Sequence, residues 1–277
     1  MVSDCPGTPL VSVLMGVYYR REDTDLLKRS VESILNQSFS DFELLICDDG
    51  SRKEALQLLD GYAERDGRLR LIRPGDKLDL ASKLNTCLRC ARGAFIARMD
   101  DDDCSHTDRF KKQLEQLESH EEIAFVGCNV TLVCQGEPLG TRALPEYPEI
   151  RDFYLVQPFV HPALVFRREA LEAVNGYSES PRQILCEDYD LLLRLYAAGF
   201  RGMNLQEVLL DYTIPATAKG SRTMRHRWNE VLTRYDRYRE LGILPSAAPY
   251  VVKPLAVGLI PEAILKKIKR KGIGNGQ

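Results

Sequence analysis

Ala94-Phe-Ile-Ala-Arg-Met-Asp100-Asp-Asp-Asp103 decides the fold: an apolar run of strand length ends in four consecutive aspartates. A buried strand that delivers its last residues into a polar cluster suits a parallel α/β sheet, where ligands bind beyond the carboxyl ends of the strands. The sequence before it repeats the pattern. Leu80, Leu84, Leu88 and Ala91 recur at helical spacing and predict a helix over about Leu80 to Arg92. Earlier come a strand at Leu69 to Arg73, a helix at Glu54 to Glu64 and a strand at Phe42 to Cys47. Helical spacing over Leu26, Leu27, Ser30, Val31, Ile34 and Leu35 precedes these, and a buried strand at Val11 to Val17 opens the series. This alternation predicts right-handed parallel crossovers. Three clusters then meet at one sheet edge: Tyr18-Tyr19-Arg20-Arg21, Asp48-Asp49-Gly50-Ser51 and Asp100 to Asp103.

Beyond Asp103 the pattern is less regular. Phe110, Leu114 and Leu117 mark a helix that Asp108 is placed to cap. Strands are expected at Ile123 to Cys134 and Leu139 to Arg142, around a Gln135-Gly136-Glu137-Pro138 turn, and at His161 to Phe166. Tyr189 to Ala198 is apolar nearly all round and reads as a buried helix, with Cys186-Glu187-Asp188 at its start. Trp228 to Leu241 reads as a charged surface helix.

The chain has 277 residues, 44% of them hydrophobic, enough for a large core without disulfide or metal staples. Its 38 basic and 40 acidic residues leave a net charge of −2, which argues against whole-surface attraction to nucleic acid. The opening Met1-Val-Ser-Asp-Cys-Pro-Gly-Thr-Pro9 has no secretory pattern. Together with eight cysteines it points to a reducing, cytoplasmic setting. Cys87 and Cys90 have CxxC spacing but no second pair, so they read as helix packing residues.

Four adjacent carboxylates repel one another unless a cation or solvent offsets their charge. They read either as a solvated acidic loop or as a site for Mg²⁺ or Mn²⁺, with substrate phosphates completing the coordination. Calcium-loop spacing is absent. Asp48 and Asp49 read as a turn, or as acceptors for a nucleotide's base or ribose; Tyr18 offers a ring for stacking.

Several motifs occur in order: Val11 to Tyr18; Ser33-Ile-Leu-Asn-Gln-Ser-Phe-Ser-Asp-Phe-Glu43; Asp48-Asp-Gly-Ser51; Ala91 to Asp100; Asp102-Asp103; and Glu187-Asp188-Tyr-Asp-Leu-Leu-Leu-Arg194. Over about residues 10 to 215 the set resembles the family 2 glycosyltransferases, inverting enzymes with the A-type nucleotide-sugar-binding fold. That resemblance implies a mostly parallel central sheet flanked by helices. It implies that Tyr18 and Asp49 hold uracil, that Asp48 supports the pocket, that Asp100 faces the ribose and that Asp102 ligates Mn²⁺ or Mg²⁺. Asp101 takes the variable middle of the Asp-x-Asp motif and Asp103 is an outer partner. Asp188, beside Glu187, is implied as catalytic base, with helix capping as its alternative role. Chemistry supports a base, because a sugar hydroxyl is a poor nucleophile at neutral pH.

The chain departs from the family pattern in places. Relatives often have Pro at Gly16, Asn at Tyr19, and Asn-x-Gly at Lys77-Leu78-Asp79. After Tyr212, where relatives place an arginine and then a histidine, the residues are Thr213, Ile214 and Pro215. Lys219, Arg222 and Lys83 are the candidate diphosphate contacts, each with solvated surface charge as the alternative. His161 reads as an acceptor contact or a structural histidine. Arg227-Trp228 matches part of a processive-synthase motif, but Met224 stands where that motif has glutamine, so a single addition is expected.

The expected organisation is a catalytic domain over 1–215, with a nucleotide half at about 10–105 and an acceptor half at about 106–215, then a helical extension over 216–277. The expected substrates are a UDP-sugar and a glycan or lipid-linked acceptor, with polysaccharide synthesis as the setting. The alternatives are a sugar nucleotidyltransferase or an inactive nucleotide-sugar-binding module. The tail, Val251 to Leu265 followed by Lys266-Lys-Ile-Lys-Arg-Lys271, reads either as a peripheral contact with the anionic inner face of a membrane or as an apolar strap with a solvated end.

Overall fold

The computed structural model describes residues 7–215 and 223–260. Among them nine strands form one sheet. Four run parallel at one side: β3 (Leu69–Ile72), β2 (Phe42–Asp48), β1 (Val11–Val17) and β4 (Phe95–Arg98), in that spatial order. The sheet continues through β8 (Val165–Arg167), β6 (Ile123–Cys134) and β9 (Arg201–Thr213) to the two-residue β5 (Cys104–Ser105). β8 is antiparallel to both β4 and β6, β6 and β9 are parallel, and β7 (Glu137–Arg142) forms a hairpin with β6. The first half is the parallel layer that the strand–helix alternation predicts; the second half mixes directions.

Alternation along β1 explains the layering. Val11, Val13, Met15 and Val17 face a core shared with α1 (Asp25–Leu35), α2 (Lys53–Arg65) and α4 (Arg109–Ser119). Leu14 faces the opposite core with α3 (Leu80–Cys90) and α6 (Glu187–Ala197). Cys87 lies in that second core, its Sγ 3.5 Å from the Leu45 carbonyl. Gly16 shows why this chain departs from proline there: a Cβ at Gly16 would meet Leu80 Cδ1 at 3.0 Å and Lys83 Cβ at 3.3 Å. Its absence brings α3 close beneath the end of β1.

Three expectations need correction. His161–Ala163 is a 3₁₀ turn, and only Val165–Arg167 of that segment pairs as strand. Pro162 lacks the N–H that a strand start there would use. Asp108 stands at the head of α4 without a side-chain capping bond. α7 (Met224–Glu240) is half inside: Arg227, Val231, Thr233, Arg234 and Tyr238 are buried, although its charge reads as surface. Its arginines find partners there, as where Arg234 donates to Glu230 at 3.0 Å and to the Tyr154 carbonyl at 3.1 Å. The short helices α8 (Leu244–Val251) and α9 (Lys253–Leu259) follow and pack against α7.

Candidate active site

The parallel register puts the ends of β1 and β2 side by side, Val17 opposite Asp48. Asp48 Oδ1 accepts the Gly50 and Ser51 amides at 2.9 and 3.0 Å, and Gly50 completes the turn at φ 120°. Tyr19 N donates to Ser51 Oγ at 2.7 Å and Arg52 N to the Tyr19 carbonyl at 3.0 Å, which stitches the turn to the end of β1. Asp49 is enclosed: Oδ2 accepts the Leu78 amide at 2.8 Å and Oδ1 lies 2.6 Å from Lys83 Nζ. Lys83 also donates to the Val17 carbonyl at 2.9 Å. Its buried ammonium therefore ties β1, β2 and α3 together, which removes the solvated-surface alternative for Lys83. The Asp49 side chain is fully enclosed by these contacts.

Tyr18 stands exposed above this bundle. Its ring is approached by Lys77 Nζ at 4.2 Å, Lys83 Nζ at 5.3 Å and the Arg20 guanidinium at 5.4 Å. Lys77 also donates to the Tyr18 hydroxyl at 3.1 Å, and that bond lowers the phenol's pKa. Asp79 caps α3 by accepting the Ser82 amide at 2.8 Å. The Lys77-Leu78-Asp79 departure thus supplies a cation, an amide and a cap on this side of the site.

The end of β4 is different in kind. The fully buried Arg98 guanidinium pairs with Asp100 and donates to the Met99 carbonyl. Burial opposes its charge, but Asp100 and its neighbours hold it protonated. A second buried arginine, Arg109, donates to the Arg98 and Pro162 carbonyls at 3.1 and 2.9 Å. Ser30 Oγ donates to the Asp100 carbonyl at 2.7 Å. Asp102 meets Arg21 at 3.4 Å. Asp103 is buried; Oδ1 accepts the Thr213 amide at 2.7 Å, and Oδ2 has no hydrogen-bond partner. Thr213 Oγ1 donates to the Asp102 carbonyl at 2.6 Å. Thr213, where relatives place arginine, therefore pins the acidic loop to the end of β9.

These carboxylates are short of cations. Burial, with Asp102 and Asp100 beside it, pushes Asp101 up to about 7. Burial and Asp100 push Asp102 up to about 6, and burial lifts Asp103 well above the carboxylate range. A divalent ion fits this set, because it brings the charge that burial has withheld. Among the described residues no three side chains form a ready-made cage. Asp102 would hold such an ion, with diphosphate oxygens and water as its other ligands.

Asp188 opens α6 opposite this edge. Its Oδ2 accepts the Gln157 amide at 3.0 Å and its Oδ1 the Tyr189 backbone N–H at 2.8 Å. Arg142 donates to the Gln157 carbonyl at 2.7 Å. Glu187 is buried beside Asp188; burial and that neighbour push it up to about 7. The charges of Asp100, Asp103 and Asp188 all bear on the half-buried Tyr212, and those of Arg98 and Asp100 reach Glu187. The β4 end and the α6 start are therefore near enough for their charges to act on one another. His161 is buried and hydrogen-bonded to the Tyr177 hydroxyl at 2.8 Å; burial and Arg98 hold it neutral. This burial and bonding are what its structural reading calls for. Lys219 and Arg222 lie outside the described residues.

Arg98, Gln157, Arg142, Tyr212 and Thr213 are absent from the sequence-based site. Only Arg98 carried a signal, as a charge inside an apolar strand two residues before the acidic run. Gln157 and Arg142 come from a loop and a hairpin whose positions depend on tertiary packing.

Known proteins resemble this chain in sequence and in fold. The family "Glycosyl transferase family 2" matches residues 12–174. A "Putative glycosyltransferase EpsE" of Bacillus subtilis (strain 168) is 35% identical over 268 residues, 96% of this chain and 95% of that protein. A "UDP-Gal:alpha-D-GlcNAc-diphosphoundecaprenol beta-1,3-galactosyltransferase" of Escherichia coli is 27% identical over 237 residues, 84% of either chain. The mannosyltransferase PcManGT from Pyrobaculum calidifontis, solved with GDP-Man and Mn²⁺, shares the fold with a TM-score of 0.61 at 20% identity, over 94% of this chain and 79% of that one.

Proposed function

Because the chain belongs to glycosyl transferase family 2, we propose that it moves a single sugar from a UDP-sugar to a hydroxyl of a glycan or lipid-linked acceptor, with inversion. The observation that carries this reading is the meeting of two differently equipped edges: the cation-poor carboxylates after β4 and Asp188 at the head of α6. The names of relatives agree with a UDP-sugar donor and a lipid-diphosphate acceptor in polysaccharide synthesis. We read residues 1–215 as the catalytic domain and 216–277 as an extension to it.

In this reading the Tyr18 ring stacks on uracil while Asp49, fixed by Lys83 and Leu78, accepts from the base. Asp48 shapes the turn beneath them, and Asp100, anchored by Arg98, faces the ribose. Asp188, held by Gln157, takes the proton of the acceptor hydroxyl as its oxygen bonds to the anomeric carbon. The bond from that carbon to the diphosphate breaks on the opposite face, and UDP leaves. Asp102 would hold a divalent ion, whose charge would offset that of the departing diphosphate. Asp101 and Asp103 shape the acidic loop around it, and Glu187 packs beneath the base.

The test is turnover with a panel of UDP-sugars, Mn²⁺ and polyprenyl-diphosphate sugar acceptors, with and without excess EDTA. Transfer that EDTA abolishes is expected. Formation of a nucleotide-sugar from UTP and a sugar phosphate would favour the nucleotidyltransferase instead. UDP-sugar binding without any turnover would favour the inactive module.

A further inference from the structure

We propose that the outward stripe of α7 is a docking surface for an anionic lipid bilayer. Arg225, Trp228, Leu232, Tyr235 and Arg239 recur at three- and four-residue spacing and so share one side of the helix. Trp228 is the only tryptophan of the chain, and it is 52% exposed. Tyr235 is 44% exposed on the same stripe, with Met224 at its edge. Leu259 of α9, the helix packed beside α7, is 77% exposed. Arg225 and Arg239 stand exposed at the two ends. The neighbouring stripe of Arg227, Val231, Arg234 and Tyr238 is buried, so the aromatic stripe faces away from the core. A tryptophan and a tyrosine bracketed by arginines match the headgroup level of a membrane, where rings sit between apolar chains and water.

Charge selects the occupant. Residues 224–277 contain eleven Lys and Arg against four Asp and Glu, a net +7. The whole chain carries −2, so residues 1–223 carry −9. A second copy would set one +7 segment against another. The basic segment Lys266 to Lys271, which lies outside the described residues, would meet Arg225 and Arg239 as like charges. An anionic leaflet attracts all of these groups and repels the acidic remainder, which also fixes orientation.

The docked face is coupled to the site through one packing layer. Tyr238 of α7 shares a 2.7 Å hydrogen bond with Tyr189 of α6, and Arg237 pairs with Asp190 at 3.2 Å. Asp188 lies one residue before Tyr189. Docking α7 therefore holds α6, and the proposed base with it, at a set distance from the bilayer. This purpose rests on the lipid-linked acceptor proposed above, while the binding test below is independent of catalysis.

The experiment uses the full chain with vesicles of phosphatidylcholine alone and of phosphatidylcholine mixed with phosphatidylglycerol. The expected result is co-sedimentation with the anionic vesicles alone, weakened by high salt. Trp228 emission should shift to the blue and be quenched by brominated acyl chains. Trp228→Ser with Tyr235→Ser, and separately Arg225→Glu with Arg239→Glu, should each weaken sedimentation about tenfold or more. UDP affinity is measured on every variant as the check of folding. No binding to anionic vesicles overturns the proposal. So does binding that leaves Trp228 emission unchanged, or that both double variants retain. Loss of UDP binding by the wild type would instead count against the transferase reading.

Discussion

The aspartates after β2 and those after β4 stand at the same edge of the sheet, yet they are held in opposite ways. Asp48 and Asp49 accept three backbone amides between them and face a buried lysine 2.6 Å away. Asp103 is buried and Asp101 and Asp102 are half-buried, yet their carboxyls rise well above the ordinary range because burial and mutual repulsion outweigh the nearby arginines. Asp49 is balanced by Lys83 and Asp48 Oδ1 by two amides, although the buried Asp48 Oδ2 has no hydrogen-bond partner; the acidic loop has no buried lysine of this kind and is balanced only when something positive arrives. A strand-end acid that is fully paired builds a pocket; one left short of charge marks where a ligand's charge is used.

Asp188 lies between these extremes, and its replacement should produce the largest effect. It accepts two hydrogen bonds yet has no cation paired to it in the described structure. Asp188→Asn should lower transfer by about 10²–10⁴ while UDP-sugar affinity stays near wild type. Separate measurement of turnover and donor affinity checks this. Collapse of affinity with substantial residual turnover would move Asp188 into the pocket-building class.

Within the paired class, Lys83 is the member whose loss should cost most. Lys83→Met keeps the stem but leaves Asp49 buried without its counter-charge. Breaking a buried pair from one side costs about 3–5 kcal/mol. Denaturant unfolding should show that loss, together with weaker uridine binding. A cost below about 1 kcal/mol would mean that the Asp49 pocket stands without the pair, and the contrast between the two strand ends would fail.

The unpaired class makes a pH prediction of definite sign. Asp101 and Asp102 titrate near 7 and 6 in the folded chain, above their unfolded values near 4. The folded state therefore binds more protons between about pH 4 and pH 7. These groups stabilise the fold fully below pH 4, and that contribution is lost as pH rises through 7. Buried His161, held neutral, contributes an opposite slope over this range, so the reference is the Asp101→Asn/Asp102→Asn variant: against it, from pH 5 to pH 7.5, the metal-free wild type should lose on the order of 1–3 kcal/mol, and saturating Mn²⁺ with UDP should flatten the slope. Thermal melts at the two pH values, with and without ligands, give the answer. A slope no different from that of the double variant would place these carboxylates with the balanced pair.

The parallel layer was legible because β1, β2 and β4 are buried on both faces and so read as unbroken apolar runs. The acids after them were legible because charge directly after such a run is unusual. β9 was missed at full length because Gln206 and Glu207 interrupt its apolar pattern where the strand itself is irregular. The clamp of Gln157 and Arg142 on Asp188 joins residues 15 and 31 apart in sequence. No local period encodes such a bond. The buried face of α7 was misread for a related reason: its arginines are sealed by carbonyls and acids contributed by other segments or one turn away.

The smallest predicted effect tests the contrast most directly, because it reverses the usual sign of a site mutation. Asp102 lies beside Asp100 and Asp101, and its one ion-pair partner among the described residues is Arg21, half exposed and 3.4 Å away. An exposed pair of that kind contributes at most about 1 kcal/mol. Repulsion between neighbouring carboxylates at about 4 Å is worth about 1 kcal/mol in water and about 4 kcal/mol at the effective dielectric of a protein surface. The balance favours the neutral side chain, so Asp102→Asn should stabilise the metal-free protein by on the order of 1 kcal/mol at pH 7.5. The same change should weaken UDP binding in Mn²⁺ and leave UDP binding in EDTA unchanged, because the Tyr18–Asp49 pocket is built without Asp102. Calorimetry in the two buffers and a melt without metal measure all three quantities. Destabilisation of the metal-free protein, with UDP affinity lost equally in both buffers, would show Asp102 to be part of the scaffold and would leave the acidic loop without its assigned role.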